Sequence, residues 1–295
     1  MTATTAKYLV TGASGQLGAL AIDALLKKVP ASQVVALVRR AEAAAPLEAK
    51  GVEVRIGDYT DVAALEKAFA GIDRLLLISS SEVGQRAAQH KNAVDAAKKA
   101  GVGFIAYTSI LHADTSPLSL AVEHRETEAQ LAASAIPYAL LRNGWYTENK
   151  TGSIAPAVEH GAYPGAAGDG RISSAPRADY AEAAVAVLTA DTLENGAVYE
   201  LAGDTSFSMQ DFADAIAQAA GKPVAYADMS EADYAAMLEG VGLPAPIAAM
   251  LADSDAGTAK GALEDNSKTL SDLIGRPTTP WSETVAEAVK QQKAA

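Results

Sequence analysis

The segment Thr11-Gly12-Ala13-Ser14-Gly15-Gln16-Leu17-Gly18 carries three glycines, each three residues after the last. It directly follows the apolar run Tyr8-Leu9-Val10 and opens a helical pattern reaching Lys28. Glycines so spaced, between a strand and a helix, suit the binding of a pyrophosphate. Gly12 permits a tight turn, Gly15 lets the backbone approach the phosphates, and Gly18 lets the helix lie close on the strand. The helix N-terminus then offers unpaired N–H groups and the positive end of its dipole to the anion. A dinucleotide is the ligand this arrangement implies.

The end of the second apolar run, Val34 to Val38, selects among dinucleotides. An NAD site places an acid there, about 20 residues beyond the turn, to bond the ribose 2′-hydroxyl. Here the run ends in Arg39-Arg40. A guanidinium binds a 2′-phosphate bidentately, whereas an acid repels it, so Arg39 points to NADPH.

Other strand ends supply further candidates, because ligands of an open parallel sheet bind beyond the carboxyl ends of its strands. Asp58, after the third run, could accept from the adenine amino group or cap the next helix. Ser79, Ser80 and Ser81, after the fourth, could line the ribose and phosphates or form a helix-leading loop. Thr108-Ser109 and Asn143-Gly144-Trp145-Tyr146 follow the fifth and sixth runs and are expected to flank the nicotinamide and the substrate. Trp145 and Tyr146 offer flat faces to a ring, or the packing of a hinge. His112, in the loop after the fifth run, could donate a proton.

The elements that must position these residues alternate regularly. Strands at Tyr8–Val10, Val34–Val38, Val52–Ile56, Leu75–Ile78, Phe104–Thr108 and Tyr138–Leu141 are separated by helical stretches. These include a helix capped by Asp61, one from about Gln85 to Ala100, and one from Ser119 to Ser134. Short continuous apolar strands alternating with helices predict an α/β fold of Rossmann type, a doubly wound parallel sheet covered on both faces. After Asn143 the pattern changes. Gly161 to Gly170 reads as loop with short edge strands, and Arg177 opens a helix to about Ala190. Val198–Ala202 reads as a strand, and helices follow at Ser208–Gly221, Ser230 onward, Ser267–Ile274 and Trp281–Gln291. The expected organisation is an NADP-binding domain over residues 1–150, rejoined by about 175–203, with a smaller, mostly helical substrate-side subdomain over 151–295.

Bulk properties narrow the partners. The chain has 295 residues and a net charge of −12, which argues against nucleic acid, since phosphate backbones need a basic surface. No cysteine is present, excluding disulfides, thiolate metal sites and cysteine nucleophiles, and four scattered histidines show no metal-ligand spacing. Met1 to Lys7 is short and polar, leaving no room for an apolar leader, and no run approaches the roughly 18–20 apolar residues of a membrane helix. The expectation is a cytoplasmic protein without membrane insertion.

With these residues on the page, the chain resembles the NmrA-like atypical short-chain dehydrogenases, and most closely the bacterial type 2 NAD(P)H:quinone oxidoreductases. The glycine turn, Leu76 to Arg86, Phe104 to Pro117, Leu141 to Tyr146 and Gly275 to Thr279 carry the resemblance. It implies flavin-independent, two-electron hydride transfer from NADPH to a small quinone. It also implies that Gly12 to Gly18, Arg39, Ser81, Glu82, Val83 and Gly144 to Asn149 line the cofactor. The catalytic candidates are His112, Asn143 and Tyr146, with the catalytic residue left open, and a homodimer is an assembly the reading admits.

One departure from the wider superfamily bears on chemistry. The Y-x-x-x-K pair that protonates a carbonyl oxygen is missing: Leu111 stands four residues after Tyr107, and the Tyr146/Lys150 pair falls after the sixth strand. His124 and Glu128 occupy that spacing on the helix after the fifth strand. Quinone reduction tolerates this, because its product is a phenolate whose conjugate acid has a pKa of about 10, judged by the tyrosine phenol. Stacking the substrate and excluding water are then the main tasks. The alternative reading is an NADP(H)-binding redox sensor that regulates a protein partner without turnover.

Overall fold

Leucine-, valine- and isoleucine-rich runs too short for helices form the strands, and alanine-rich amphipathic stretches between them form the helices. A computed structural model describes residues 6–294, so most of the polar leader Met1–Lys7 lies outside the described residues. In chain order the first elements are β1 (Tyr8–Val10), α1 (Gln16–Leu26), β2 (Val34–Val38), α2 (Ala45–Glu48), β3 (Glu53–Ile56) and α3 (Val62–Phe69). There follow β4 (Arg74–Leu77), α4 (Arg86–Ala100), β5 (Phe104–Ile110), α5 (Ala121–Ser134) and β6 (Tyr138–Asn143). Next come α6 (Glu148–Thr151), α7 (Ile154–His160), β7 (Ala162–Gly165), β8 (Arg171–Ile172), α8 (Arg177–Leu188), β9 (Ala197–Leu201) and β10 (Phe207–Ser208). The chain ends with α9 (Met209–Ala220), β11 (Ala225–Asp228), α10 (Glu231–Gly240), α11 (Ala245–Thr258), α12 (Thr269–Ile274) and α13 (Trp281–Ala294).

The chain forms two units. The first comprises the segment up to Ile110, Glu123–Arg142 and Arg177–Tyr199. Its strands belong to a seven-stranded sheet of order β3-β2-β1-β4-β5-β6-β9, in which β3 to β5 run parallel. The order reverses between β1 and β4, so the crevice beyond the carboxyl ends of those two strands is where such a sheet takes a ligand. β1, β2 and β5 are buried along their whole length, which is why they read as unbroken apolar runs. Leu9, Val35, Leu37, Leu65, Phe69, Leu75, Leu77 and Ile105 form one core. Each such side chain contributes about 1.5–3 kcal/mol by leaving water. α8 packs on α1 and on β4 and β5, and its buried residues run almost all round the helix.

The second unit comprises Leu111–Val122, Asn143–Pro176 and the chain from Glu200 onward. It has two small sheets, β10 antiparallel to β8 and β11 parallel to β7. An aromatic group holds its helices: Phe207 lies 4.3 Å from Trp281 between ring centroids and 5.7 Å from Phe212, which also meets Tyr163 at 5.3 Å. A second cluster joins Tyr234 and Leu238 of α10 to Ala248 and Ala252 of α11.

Two helices start later than expected, each preceded by a serine whose N–H is bonded to a carboxylate. Ser119 donates its N–H and hydroxyl to the Asp253 carboxylate, at 2.9 and 2.8 Å, and α5 begins at Ala121. The Ser267 N–H is taken by Asp265 at 2.7 Å, and α12 begins at Thr269. Among the described residues no helix is long and apolar enough to cross a membrane.

Candidate cofactor site and substrate-side residues

The turn after β1 is built as its glycines require. Thr11 donates its N–H to the carbonyl of Leu76 and Ala13 to that of Leu37, tying the turn to β4 and β2. Gly12 has φ +56°, a left-handed conformation open to glycine. A Cβ on Gly18 would overlap the Gly12 carbonyl oxygen and the Ala13 backbone, so the helix approaches the turn more closely than any side chain allows. Gly15 is the N-cap of α1, with no side chain capping it and no acid in the first turn. The positive end of α1 therefore faces outward uncapped.

A cleft of about 600 Å³ opens here, lined by Gly12 and Ser14 to Gly18, by Arg39 and Asp58, and by Ser79 to Glu82. Leu37, Gly57, Tyr59, Ile78, Gln89 and Arg177 complete the lining. Of the candidates in this unit, Ala13 is buried behind the turn, Val83 is exposed outside the cleft, and Thr108 lies beneath it. Sequence reasoning missed Tyr59, which stands beside Asp58 in the loop after β3, and also Gln89 and Arg177, which stand at no strand end.

Three of the lining segments are pinned from below. The Tyr59 hydroxyl donates to the carbonyl of Ile78 at 2.7 Å and lies 2.6 Å from Thr11 Oγ1, which accepts the Ile78 N–H at 2.9 Å. Burial pushes the Tyr59 phenol well above its ordinary range, so it stays protonated. Asp58 folds back on its own loop, accepting the N–H and hydroxyl of Thr60 at 2.8 and 2.6 Å. Those bonds, with Arg39 nearby, hold its carboxyl below the usual range. The next helix, α3, is capped by Asp61 as expected.

The serine loop is held by two buried residues. Ser79 donates its N–H to Thr108 Oγ1 and Ser80 donates to His90 Nε2, both at 2.9 Å. Because Nε2 accepts, the proton sits on Nδ1, which donates to Thr127 Oγ1 at 2.9 Å; that hydroxyl in turn donates to the Glu123 carbonyl. Burial, reinforced by Arg86, lowers the His90 pKa to about 3, which fixes the neutral ring. Arg39 has one further partner. Its Nη1 lies 2.8 Å from Glu82 Oε1, so although β2 ends without an acid, the loop after β4 brings one across.

The residues at the missing Tyr–Lys spacing are structural. His124 is buried against the Tyr107 hydroxyl, 2.7 Å from its Nδ1, and burial drives its pKa well below the ordinary value. Glu128 is taken by Arg142, at 3.0 and 2.8 Å, and by Ser109 at 2.6 Å. Neither is disposed to protonate a substrate.

The remaining candidates belong to the second unit. His112 adopts φ +52°, and its N–H donates to Glu200 Oε2 at 2.8 Å. Its ring, about one-third exposed, has Nδ1 3.7 Å from that carboxylate and Nε2 3.4 Å from Asp265 Oδ2. Asn143 donates from Nδ2 to the Tyr146 hydroxyl at 3.1 Å, while its buried Oδ1 has no hydrogen-bond partner among the described residues. Gly144 donates to the carbonyl of Leu201 at 2.7 Å, and Tyr146 bridges to Ala175. Trp145 is half-buried and Asn149 is exposed.

Comparison with known proteins agrees with this geometry. The NAD(P)H-binding family matches residues 12–191. Quinone oxidoreductase 2 of Escherichia coli strain K12 is 58% identical over 94% of this chain and 96% of its own. The crystal structure of an NADPH-dependent quinone oxidoreductase from Escherichia coli, complexed with NADPH, superposes with a TM-score of 0.93 at 57% identity. It covers 95% of this chain and 99% of that one. The Citrobacter sp. triphenylmethane reductase complexed with NADP(H) gives a TM-score of 0.91 at 40% identity, covering 96% and 100%. The chain thus belongs to the NAD(P)H-binding, NmrA-like atypical short-chain dehydrogenases, in the same family as quinone oxidoreductase 2.

Proposed function

We propose that this protein is an NADPH-dependent quinone reductase that converts a small quinone to its hydroquinone by two-electron reduction, without flavin. The observation that carries the substrate class is the 58% identity, over nearly the whole chain, to quinone oxidoreductase 2. The cofactor reading has support in the site itself. A cradle that a Cβ at position 18 would fill, an uncapped helix N-terminus and a guanidinium line one cleft of dinucleotide size.

In this reading the amides of Gly15 to Leu17 hold the pyrophosphate and Arg39 holds the 2′-phosphate, while Arg177 adds positive charge to the same cleft. Ser79 to Ser81, on a loop fixed by Thr108 and His90, line the ribose side. Asp58, ionised and held by Thr60, is an acceptor for the adenine amino group. When bound, NADPH supplies the hydride. Asn143, Gly144, Trp145, Tyr146 and Asn149 are proposed on the nicotinamide and substrate side, with His112 and Tyr146 as the candidate proton donors. The bonds that occupy His124 and Glu128 fit a reaction whose product oxygen is phenolic and needs little acid help.

Incubating the purified protein with NADPH and a small benzoquinone is expected to consume NADPH and quinone in equal amounts. The protein should show no flavin absorbance, and no semiquinone should appear by paramagnetic resonance. NADPH loss no faster than the uncatalysed rate would sink the proposal. Tight NADP+ binding with no turnover of any quinone would favour the redox-sensor reading instead.

A further inference from the structure

We propose that Glu82 is a specificity-determining residue, a carboxylate that occupies Arg39 and is exchanged for the 2′-phosphate when the cofactor binds. This rests on the reading of Arg39 as the 2′-phosphate contact.

Both oxygens of Glu82 are committed. Oε1 lies 2.8 Å from Arg39 Nη1, and Oε2 accepts the Gln89 Nε2–H at 2.7 Å. Its own N–H donates to Ser80 Oγ at 3.1 Å, and Ser80 is pinned in turn by the buried His90. The inner support is therefore fixed, Gln89 being only 5% exposed. The outer pair is open to solvent, with side-chain exposures of 63% for Arg39 and 45% for Glu82. An exposed ion pair is weak and can be displaced. A phosphate dianion, with twice the charge and oxygens matched to the guanidinium fork, displaces it; a ribose hydroxyl does not.

Glu82 then acts on both cofactors, in opposite directions. It competes with the 2′-phosphate for Arg39 and repels it, and it offers a ribose 2′-hydroxyl the acceptor that the end of β2 lacks. It therefore holds the preference for the phosphorylated nucleotide below the level Arg39 alone would set. Gln89 Oε1, buried at the cleft with no hydrogen-bond partner among the described residues, marks the same corner as one built to receive a donor.

The test uses 2′,5′-ADP and 5′-AMP, which differ only in the 2′-phosphate, titrated calorimetrically into the full-length protein. Glu82→Gln removes the charge and keeps an acceptor for Gln89. It is expected to raise the 2′,5′-ADP to 5′-AMP affinity ratio about three- to tenfold, and raised salt should shrink the gain. Glu82→Ala repeats the change without an amide and is expected to move the ratio the same way. A ratio unchanged or lowered in both variants, or both affinities falling together as a merely structural role would cause, would overturn the Glu82 proposal alone. A wild-type protein binding the two nucleotides equally would overturn the NADPH reading and this proposal with it.

Discussion

Arg39 stands at the cleft with its guanidinium against the Glu82 carboxylate, and the consequence for cofactor choice can be measured directly. Hydrogen bonds to a charged group contribute about 1.5–3 kcal/mol each. Arg39→Asp should therefore lower the kcat/KM for NADPH by at least roughly tenfold, with like-charge repulsion adding to the loss. The NADH value should hold or rise, because the new acid can take the 2′-hydroxyl. An unchanged NADPH:NADH ratio would show that Arg39 is not the contact. Arg39 was legible in the sequence because it closes a strand, and the topology sends strand ends to the ligand. Glu82, by contrast, is 43 residues further along, and nothing local marks its reach to Arg39. Gln89 and Arg177 were hidden for the same reason: each enters the cleft through tertiary packing alone.

The helices that announce themselves are the capped ones. Ser208 accepts the Asp211 N–H at 3.1 Å while the Asp211 carboxylate accepts the Ser208 N–H at 2.8 Å, a reciprocal capping box at the start of α9. Ser208→Ala should lower the stability of the protein by about 1 kcal/mol, read from the denaturant midpoint, and leave nucleotide affinity unaltered. A loss below a few tenths would show that Asp211 alone satisfies the end. Asp61 and Ser230 cap α3 and α10 by accepting the N–H groups of Ala64 and Asp233, and all three caps were readable from residue type and position. α11 was not. It starts behind Pro244 with Pro246 in its first turn, has no side-chain cap, and shows no apolar stripe, because its buried residues include Ser254, Asp255, Gly257 and Thr258. β11 escaped notice as well, being four residues whose partner, β7, lies some sixty positions earlier in the chain. What the parallel sheet declares through continuous apolar strands, the second unit conceals by using short strands and small residues.

At the scale of the whole molecule, two buried histidines tie stability to pH. His90, lowered to about 3 by burial and then by Arg86, and His124, lowered by burial and then by Arg86 and His90, are neutral in the folded protein. In the unfolded chain each takes a proton as pH falls through its ordinary value of 6.5. Below 6.5, and for His90 down to about 3, the unfolded state binds more protons, so stability is lost as pH falls. The loss approaches about 1.4 kcal/mol per pH unit for each ring. Nucleotide-free protein should show a falling urea midpoint from pH 7 to pH 5, above the range where carboxylates contribute. The slope should be reduced in His90→Asn, whose amide can still accept from Ser80. A flat profile over that interval would contradict the assignment of neutral, buried rings.

The first unit is assembled from three separated stretches of chain, the last ending at Tyr199, and α8 in that last stretch packs on α1 near the beginning. During synthesis α1 leaves the ribosome about 150 residues before its partner exists, roughly 8 to 30 seconds at ordinary elongation rates. Through that interval the apolar surface of α1 that packs on α8 lacks that partner. No uninterrupted stretch of the chain forms either unit, so neither can be cut out as a single continuous fragment.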